Sequence, residues 1–236
     1  MKKSDKGFSK FDLVIASCKT WHYDNFLKLS LKHEEHDWHW VENVNELETL
    51  LDKLQPKYIF FLHWNWIVPE RIWSKIECVC FHMTDVPYGR GGSPLQNLIK
   101  DSKTSTKLTA LKMVEEMDAG PVYVKKDLSL AGRAEEIYMR AGCLSFEIIE
   151  WMIGVFPEPV NQEGEVTLFT RRTPEQSLMP IEGQIEDLYD HIRMLDAKGY
   201  PHAFIDHGEY RYEFVNASVS DEAIKAEVVI RKVKPS

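Results

Sequence analysis

Short continuous apolar runs alternate along the first two-thirds of the chain with stretches whose apolar residues recur every three or four positions. Phe11–Ala16, Trp38–Val41, Tyr58–Leu62 and Cys78–Phe81 are of the first kind, the pattern of strands, and of buried ones at Phe11–Ala16, Tyr58–Leu62 and Cys78–Phe81. Between the first pair, Trp21–Leu31 carries Phe26, Leu27, Leu29 and Leu31, an imperfect helical pattern. Between Trp38–Val41 and Tyr58–Leu62, Val44, Leu47, Leu50, Leu51 and Leu54 fall at regular helical spacing. Asn43 with Glu46 makes a start resembling a capping box, and Pro56 ends the helix. Thr106–Met113 and Val122–Leu128 read as two further strands. Arg133–Met152 reads as a long helix with Ile137, Ala141, Leu144, Ile148 and Met152 on one stripe. This alternation predicts an α/β fold with an open, mostly parallel, Rossmann-like sheet.

The pattern changes after Phe156-Pro157-Glu158-Pro159. The stretch to Pro180 is polar and reads as a connector across the surface. Ile185–Leu195 reads as a helix, and from Phe204 onward short strands are separated by His207-Gly208 and Ser220-Asp221-Glu222. The expected organisation is an α/β catalytic domain over 1–165, then a linker, helix and small β appendage over 166–236. Tyr210–Phe214 alternates and Val228–Ile230 is apolar. Strands in so small an extension need a partner to cover an edge, which predicts a homodimer.

Composition narrows the function classes. The 236 residues carry 29 Lys and Arg against 37 Asp and Glu, a net charge of −8. That disfavours a nucleic-acid binder held mainly by phosphate contacts, while leaving room for a local basic pocket for one phosphate. Four cysteines are too few for a disulfide scaffold, and Cys18, Cys78 and Cys80 lie in or beside apolar runs. Met1–Gly7 is basic, but no long apolar stretch follows it. Neither a signal peptide nor a membrane span is expected, and the chain reads as cytoplasmic.

The segment Cys80-Phe81-His82-Met83-Thr84-Asp85-Val86-Pro87-Tyr88-Gly89-Arg90-Gly91-Gly92-Ser93-Pro94 carries the most chemistry. A buried strand ends at His82, a glycine-rich loop follows, and Pro94 suits a first helical turn. Ligands of open α/β sheets bind beyond the carboxyl ends of strands, which places His82 where chemistry is usually done. The glycines permit close backbone approach to a ligand with exposed N–H groups. Neither a dinucleotide fingerprint nor a phosphate-binding Gly-Lys-Ser/Thr is present. On its own, the segment reads equally as a tight turn beside a satisfied histidine.

This segment resembles the signature of the folate-dependent N-formyltransferases: Asn-x-His at a strand end, then a Pro, an Arg-Gly and a second Pro. His82, Pro87, Arg90-Gly91 and Pro94 fall at those offsets. Pro56–Pro69 is similar to the family's strand and loop around the folate pterin. Met117-Asp118-Ala119-Gly120-Pro121-Val122 is similar to its Leu-Asp-Thr-Gly loop, whose Asp is catalytic. Arg171–Glu175 and Tyr200–Phe204 resemble the linker and C-terminal segment of the sugar-nucleotide members, and Phe81–Asp85 with Gly91–Ile99 most resembles those acting on 4-amino-dideoxy sugars, the pseudaminic-acid-pathway type first. The resemblance runs from roughly Phe11 to Phe204.

The resemblance implies the formyltransferase fold and N10-formyltetrahydrofolate as formyl donor, with no metal. His82 would be general base and acid, and Asp118 would orient its imidazole and stabilise the charged form. Trp64, Asn65, Trp66, Ile67, Val68 and Met117 would form the folate side; for Trp64 and Trp66, core packing is the competing reading. One position departs from the family: Cys80 stands where the family has an Asn that holds the formyl oxygen. A thiol is a weak donor, and losing one oxyanion donor costs about 10²–10³ in rate. Three readings stay open: Asn65 or another nearby donor substitutes, the enzyme runs with a weaker oxyanion hole, or the chain is a poor catalyst. Cys78, Cys80 and His82 share one strand face, but same-face neighbours stand about 6.6 Å apart, which serves a tetrahedral metal or a Cys–His nucleophile pair poorly.

On the acceptor side, Lys19-Thr20-Trp21-His22 resembles the Lys-x-Trp element of the sugar-nucleotide enzymes. Lys19 would meet a diphosphate as a point charge with Trp21 beside it on the acceptor side, a solvated loop lysine with Trp21 in the core being the competing reading, and Arg90 with Gly91 would serve the acceptor phosphate or brace the loop. The implied reaction is formyl transfer to the primary amine of an amino-dideoxy sugar nucleotide, UDP-linked first and dTDP-linked second, with no nucleic acid or membrane partner. The alternatives are an enzyme like methionyl-tRNA formyltransferase, or a folate or nucleotide-sugar binding protein weakened at Cys80.

Overall fold

The computed structural model describes residues 10–233; the basic stretch Met1–Gly7 lies outside them. The elements in chain order are β1 (Asp12–Ala16), α1 (Tyr23–Lys32), β2 (Asp37–Val41), α2 (Val44–Leu51), β3 (Tyr58–Phe61), α3 (Glu70–Trp73) and β4 (Glu77–His82). Then come β5 (Arg90–Gly91), α4 (Pro94–Lys100), β6 (Ser105–Lys112), β7 (Val122–Ser129) and α5 (Ala134–Val155). The chain continues through β8 (Leu168–Phe169), α6 (Ile185–Arg193), β9 (Ala203–His207), β10 (Tyr210–Val219) and β11 (Ile224–Lys232).

The principal sheet has the order β2-β1-β3-β4-β6-β7. β1, β2, β3 and β4 are mutually parallel, and β6 runs antiparallel to β4, so the expected α/β class and mostly parallel sheet are found. β3 is buried at every residue, which is why its sequence is a continuous apolar run rather than an alternating one. Each such side chain removed from water contributes about 1.5–3 kcal/mol. Val14, Ala16, Ile59, Phe61 and Cys78 face Leu47 of α2 and Ile72 of α3 in one core. On β3 the alternate residues Tyr58 and Phe60 point to the opposite face, and Phe156, just after α5, stacks on Tyr58 with ring centroids 6.4 Å apart.

Contacts divide the chain into two compact units. The first comprises Met1–His82, Leu108–Lys126 and Gly142–Glu163; the second comprises Met83–Lys107, Asp127–Ala141 and Gly164–Ser236. In the second unit the buried Asp196 is a hub. Its carbonyl accepts from the Glu135 N–H at 3.0 Å, its carboxylate accepts from the Asn216 N–H at 2.7 Å, and Arg133 lies 3.5 Å away. Arg193 donates to the Leu130 and Gly132 carbonyls at 2.7 and 2.9 Å, satisfying a guanidinium that is otherwise costly to bury.

Three local expectations are corrected. The C-terminal strands are long: β10 and β11 have ten and nine residues and form a three-stranded antiparallel sheet with β9. The stretch before Pro180 is more than a connector, because β8 pairs in parallel with β5 and a short 3-10 turn at Pro174–Ser177 is closed by a Thr173/Gln176 capping box. At α2 the Asn43 side chain accepts from the Glu46 N–H as expected, but the Glu46 carboxylate takes the Glu42 N–H, one residue before the cap. Among the described residues no helix is long and apolar enough to cross a membrane.

Candidate functional site

β4 carries the candidate residues Cys80 and His82 in the first unit. Cys78 and Cys80 lie on the face packed by α2 and α3, and the period-2 alternation of a strand puts His82 on the same face at its end. His82 is 7% exposed. Because β6 is antiparallel to β4, the segment after it leaves beside Cys78, with the Met113 N–H on the Cys78 carbonyl at 2.8 Å. It then doubles back so that Asp118 Oδ2 stands 3.4 Å from His82 Nδ1. That is longer than a tight hydrogen bond, as such contacts commonly are without a bound ligand.

The Asp118 turn is held by backbone geometry. Asp118 has φ +55°, a left-handed conformation that Asp tolerates better than most residues. Gln162 Nε2 donates to the Asp118 and Gly120 carbonyls, both at 2.8 Å, and the Lys112 N–H donates to the Pro121 carbonyl at 2.9 Å. Gln162 was not singled out from the sequence, since nothing local marks a residue that acts over more than forty positions.

Cys80 donates to the Leu111 carbonyl at 3.7 Å. Burial pushes its thiol well above the ordinary range, and the negative charge of Asp118 pushes it further. The group is therefore a neutral thiol, ruling out a resting thiolate nucleophile. Among the described residues no cluster of three or more His, Cys, Asp or Glu is arranged to hold a metal.

Two loops follow the carboxyl ends of the neighbouring strands β1 and β3. In the β3 loop, Trp64 and Val68 pack on the same core as Cys80, and Trp64 meets Trp66 edge-on at 4.9 Å. Asn65, Trp66 and Ile67 are exposed, Ile67 at 88%, and Met117 is 65% exposed on the Asp118 loop. In the β1 loop, Lys19 lies over the Trp21 ring at 5.1 Å. Beneath it His22 Nε2 meets His63 Nδ1 at 3.0 Å. Burial, helped by Lys19, lowers the His22 pKa to about 4. Burial, His22 and Lys19 lower that of His63 to about 3.

The glycine-rich loop belongs to the second unit, and there the expectation of N–H groups open to a ligand is overturned. The Gly89 N–H is taken by Thr167 Oγ1 at 2.7 Å, that of Arg90 by the Thr167 carbonyl at 3.0 Å, and that of Gly92 by the Phe169 carbonyl at 3.2 Å. The glycines admit the linker backbone: a Cβ on Gly91 would stand 2.5 Å from the Phe169 carbonyl oxygen, and one on Gly92 2.5 Å from Arg171 Cβ. Arg90 is 8% exposed, in keeping with loop bracing.

Comparison with known proteins follows this geometry. Residues 174–231 match the family model described as the methionyl-tRNA formyltransferase C-terminal domain. A solved structure described as methionyl-tRNA formyltransferase from Clostridium thermocellum is 43% identical, covers 94% of this chain and 99% of its own, and superposes with a TM-score of 0.89. The chain belongs to the formyltransferase family. Among curated relatives, methionyl-tRNA formyltransferase of Mycoplasma mycoides is 25% identical over 187 residues, 75% of this family member and 58% of that protein. The chain thus spans a little over half the length of the curated relatives it matches. A sugar N-formyltransferase from Shewanella sp. shares the fold with a TM-score of 0.66 at 13% identity, over 96% of this chain and 99% of that one. The relatives of higher identity thus carry the methionyl-tRNA name, where the motifs pointed first to the sugar-nucleotide members.

Proposed function

We propose that this family member transfers a formyl group from N10-formyltetrahydrofolate to a primary amine in the cytoplasm, residues 1–165 supplying the chemistry and 166–236 the contact with a second copy. The observation that carries the reading is the His82–Asp118 pair, 3.4 Å apart on a buried strand end and a loop braced to meet it. The acceptor nitrogen attacks the formyl carbon, and the carbonyl electrons move to oxygen in a tetrahedral intermediate. His82 takes the proton lost by the amine and returns it to N10 as the carbon–N10 bond breaks. Asp118 holds the imidazole and stabilises the imidazolium between those transfers. Cys80 stands where the family has its oxyanion amide, and a thiol is a weak donor. A hole with one donor fewer is about 10²–10³ slower. Trp64, Asn65, Trp66, Ile67, Val68 and Met117 form the folate side.

For the acceptor we infer a nucleotide-linked amino sugar, with Lys19 and Trp21 at its diphosphate and Arg90 with Gly91 bracing the glycine-rich loop. The net charge of −8 supports a small acceptor over a polyanion. Methionyl-tRNA is the second reading, favoured by the names of the relatives and by the family model over 174–231. Incubation with N10-formyltetrahydrofolate and a panel of UDP- and dTDP-linked amino sugars and methionyl-tRNA, read by mass spectrometry, separates them. Formylation of a sugar alone supports the first reading and of methionyl-tRNA alone the second. Folate binding without transfer to any acceptor overturns both. His82→Asn and Asp118→Asn should abolish turnover while thermal unfolding shows a folded protein.

A further inference from the structure

The β1 and β3 loops meet through two imidazoles that the proposed reaction does not use, His22 buried and His63 half-buried. β1 and β3 are adjacent and parallel, in register at Ala16 and Phe61, so their loops start side by side. His22 is 1% exposed, and Gly142 of α5 backs it so closely that a Cβ there would stand 2.3 Å from His22 Cε1. His63 sits at φ +50°, a conformation costly for a side chain unless its surroundings fix it. The Cys18 thiol donates to the His63 carbonyl at 2.7 Å, a second strut between the same loops.

The tautomers follow from one donor that has no choice. The Trp21 indole N–H can only donate, and it points at His22 Nε2 at 3.1 Å. His22 Nε2 is therefore an acceptor and His22 carries its proton on Nδ1. The 3.0 Å contact between His22 Nε2 and His63 Nδ1 is then a hydrogen bond donated by His63. Two N–H groups, one from Trp21 and one from His63, converge on a single His22 nitrogen. A proton added at His22 Nε2 would set three N–H groups against each other. The joint therefore calls for a neutral His22, and burial together with Lys19 separately lowers its pKa to about 4.

We propose that this His22–His63 hydrogen bond is the joint that sets the spacing between the two ligand loops, making both histidines positioning residues for formyl transfer. One side of the joint carries Lys19 and Trp21, the other Trp64 to Val68. The inference rests on the reading of these loops as acceptor and donor sides. Its particular consequence is crossed: damage on one loop is felt by the ligand of the other.

Steady-state kinetics of His22→Gln, His63→Asn and the double variant test this, with both KM values measured. The conservative side chains keep the fold within reach, and Asn tolerates the left-handed backbone at 63. The expected result is that His22→Gln raises the KM for the folate donor about fivefold or more, and His63→Asn does the same for the acceptor. The double variant should be no worse than the poorer single one. A purely structural role predicts instead that each variant affects only its own loop's ligand, additively, and that result overturns the joint. Hydrogen exchange provides a readout that needs no turnover. His22→Gln and Gly142→Ala should each speed exchange in 63–68, and unchanged protection there overturns the joint even in an inactive protein. Faster exchange in a chain that formylates nothing keeps the joint while refuting the reaction.

Discussion

Replacing Gly120 by Ala separates the position of Asp118 from its presence. A Cβ on Gly120 would stand 1.8 Å from the Lys112 carbonyl oxygen, and real Cβ contacts essentially never fall below 3.0 Å, so something must move by about 1.2 Å. Lys112 is fixed in β6 by its pairing with Val79 of β4, which leaves the Asp118 turn as the part that yields. The turn is tied by the Gln162 bonds at 2.8 Å and the Lys112–Pro121 bond at 2.9 Å. Moving it loosens these and lengthens a His82–Asp118 contact that is already 3.4 Å. A misplacement of about 1 Å in a catalytic group costs about 10² in rate, whereas replacing the carboxylate of such a pair outright costs about 10⁴. Gly120→Ala should therefore lower kcat about a hundredfold, less than Asp118→Asn, and lower stability by about 1–3 kcal/mol through overpacking. Initial rates with saturating donor and acceptor, beside denaturant unfolding, provide the assay. Gly154→Ala is the control: it lies in α5 with nothing within 4 Å of its added Cβ, and should leave kcat unchanged while adding about 0.5–1 kcal/mol of stability. A folded Gly120→Ala protein with wild-type kcat would refute the claim that this turn sets the geometry of the pair.

Two further outcomes follow from the buried side chains. Of the four free cysteines only Cys143 is exposed, and burial raises the pKa of Cys18, Cys78 and Cys80. A disulfide reagent should thus modify one thiol of the native protein quickly, mapped to Cys143, and Cys80 labelled as fast would refute its assignment as a protected neutral thiol. The imidazoles set a pH dependence: their native pKa values, about 4 for His22 and about 3 for His63, lie below the unfolded value of 6.5. The unfolded chain then binds more protons, so their stability contribution is fully present above pH 6.5 and is lost as pH falls toward 4 and 3. Unfolding free energies at pH values of about 7.5, 6 and 5 should decline for the wild type and more shallowly for His22→Gln, with equal slopes counting against the assignment.

The elements were legible where packing and local propensity agree. β3 is apolar at consecutive positions because it is buried at every residue, with α2 and α3 against one face and Phe156 stacked on Tyr58 on the other, and α2 announced itself through Asn43 and a regular stripe. What the sequence hid was long-range backbone pairing. β5 and β8 are two residues each, too short for any periodicity, and their pairing depends on what Gly91 meets across more than seventy positions. The same blindness produced the misreading of the glycines. Three glycines in a loop signal close approach of something, and local sequence does not distinguish a ligand phosphate from the protein's own Thr167–Phe169 backbone.

The site divides along the same line. His82 and Asp118 could be named because each sits in a local motif, but their meeting required a reversal that the sequence does not display: β6 runs antiparallel to β4, so the Asp118 segment starts at the wrong end of the strand and must fold back. Gln162, which anchors that return, has no motif of its own. The His22–His63 contact is subtler still, since each residue alone reads as a loop histidine after a buried strand. Only the adjacency of β1 and β3, the close approach of Gly142 and the fixed indole donor of Trp21 turn the two into one neutral unit. Under the proposed reading the acceptor is chosen by what these loops present together, Lys19 and Trp21 on one side and Trp64–Val68 on the other, and the imidazole pair is the proposed link between them.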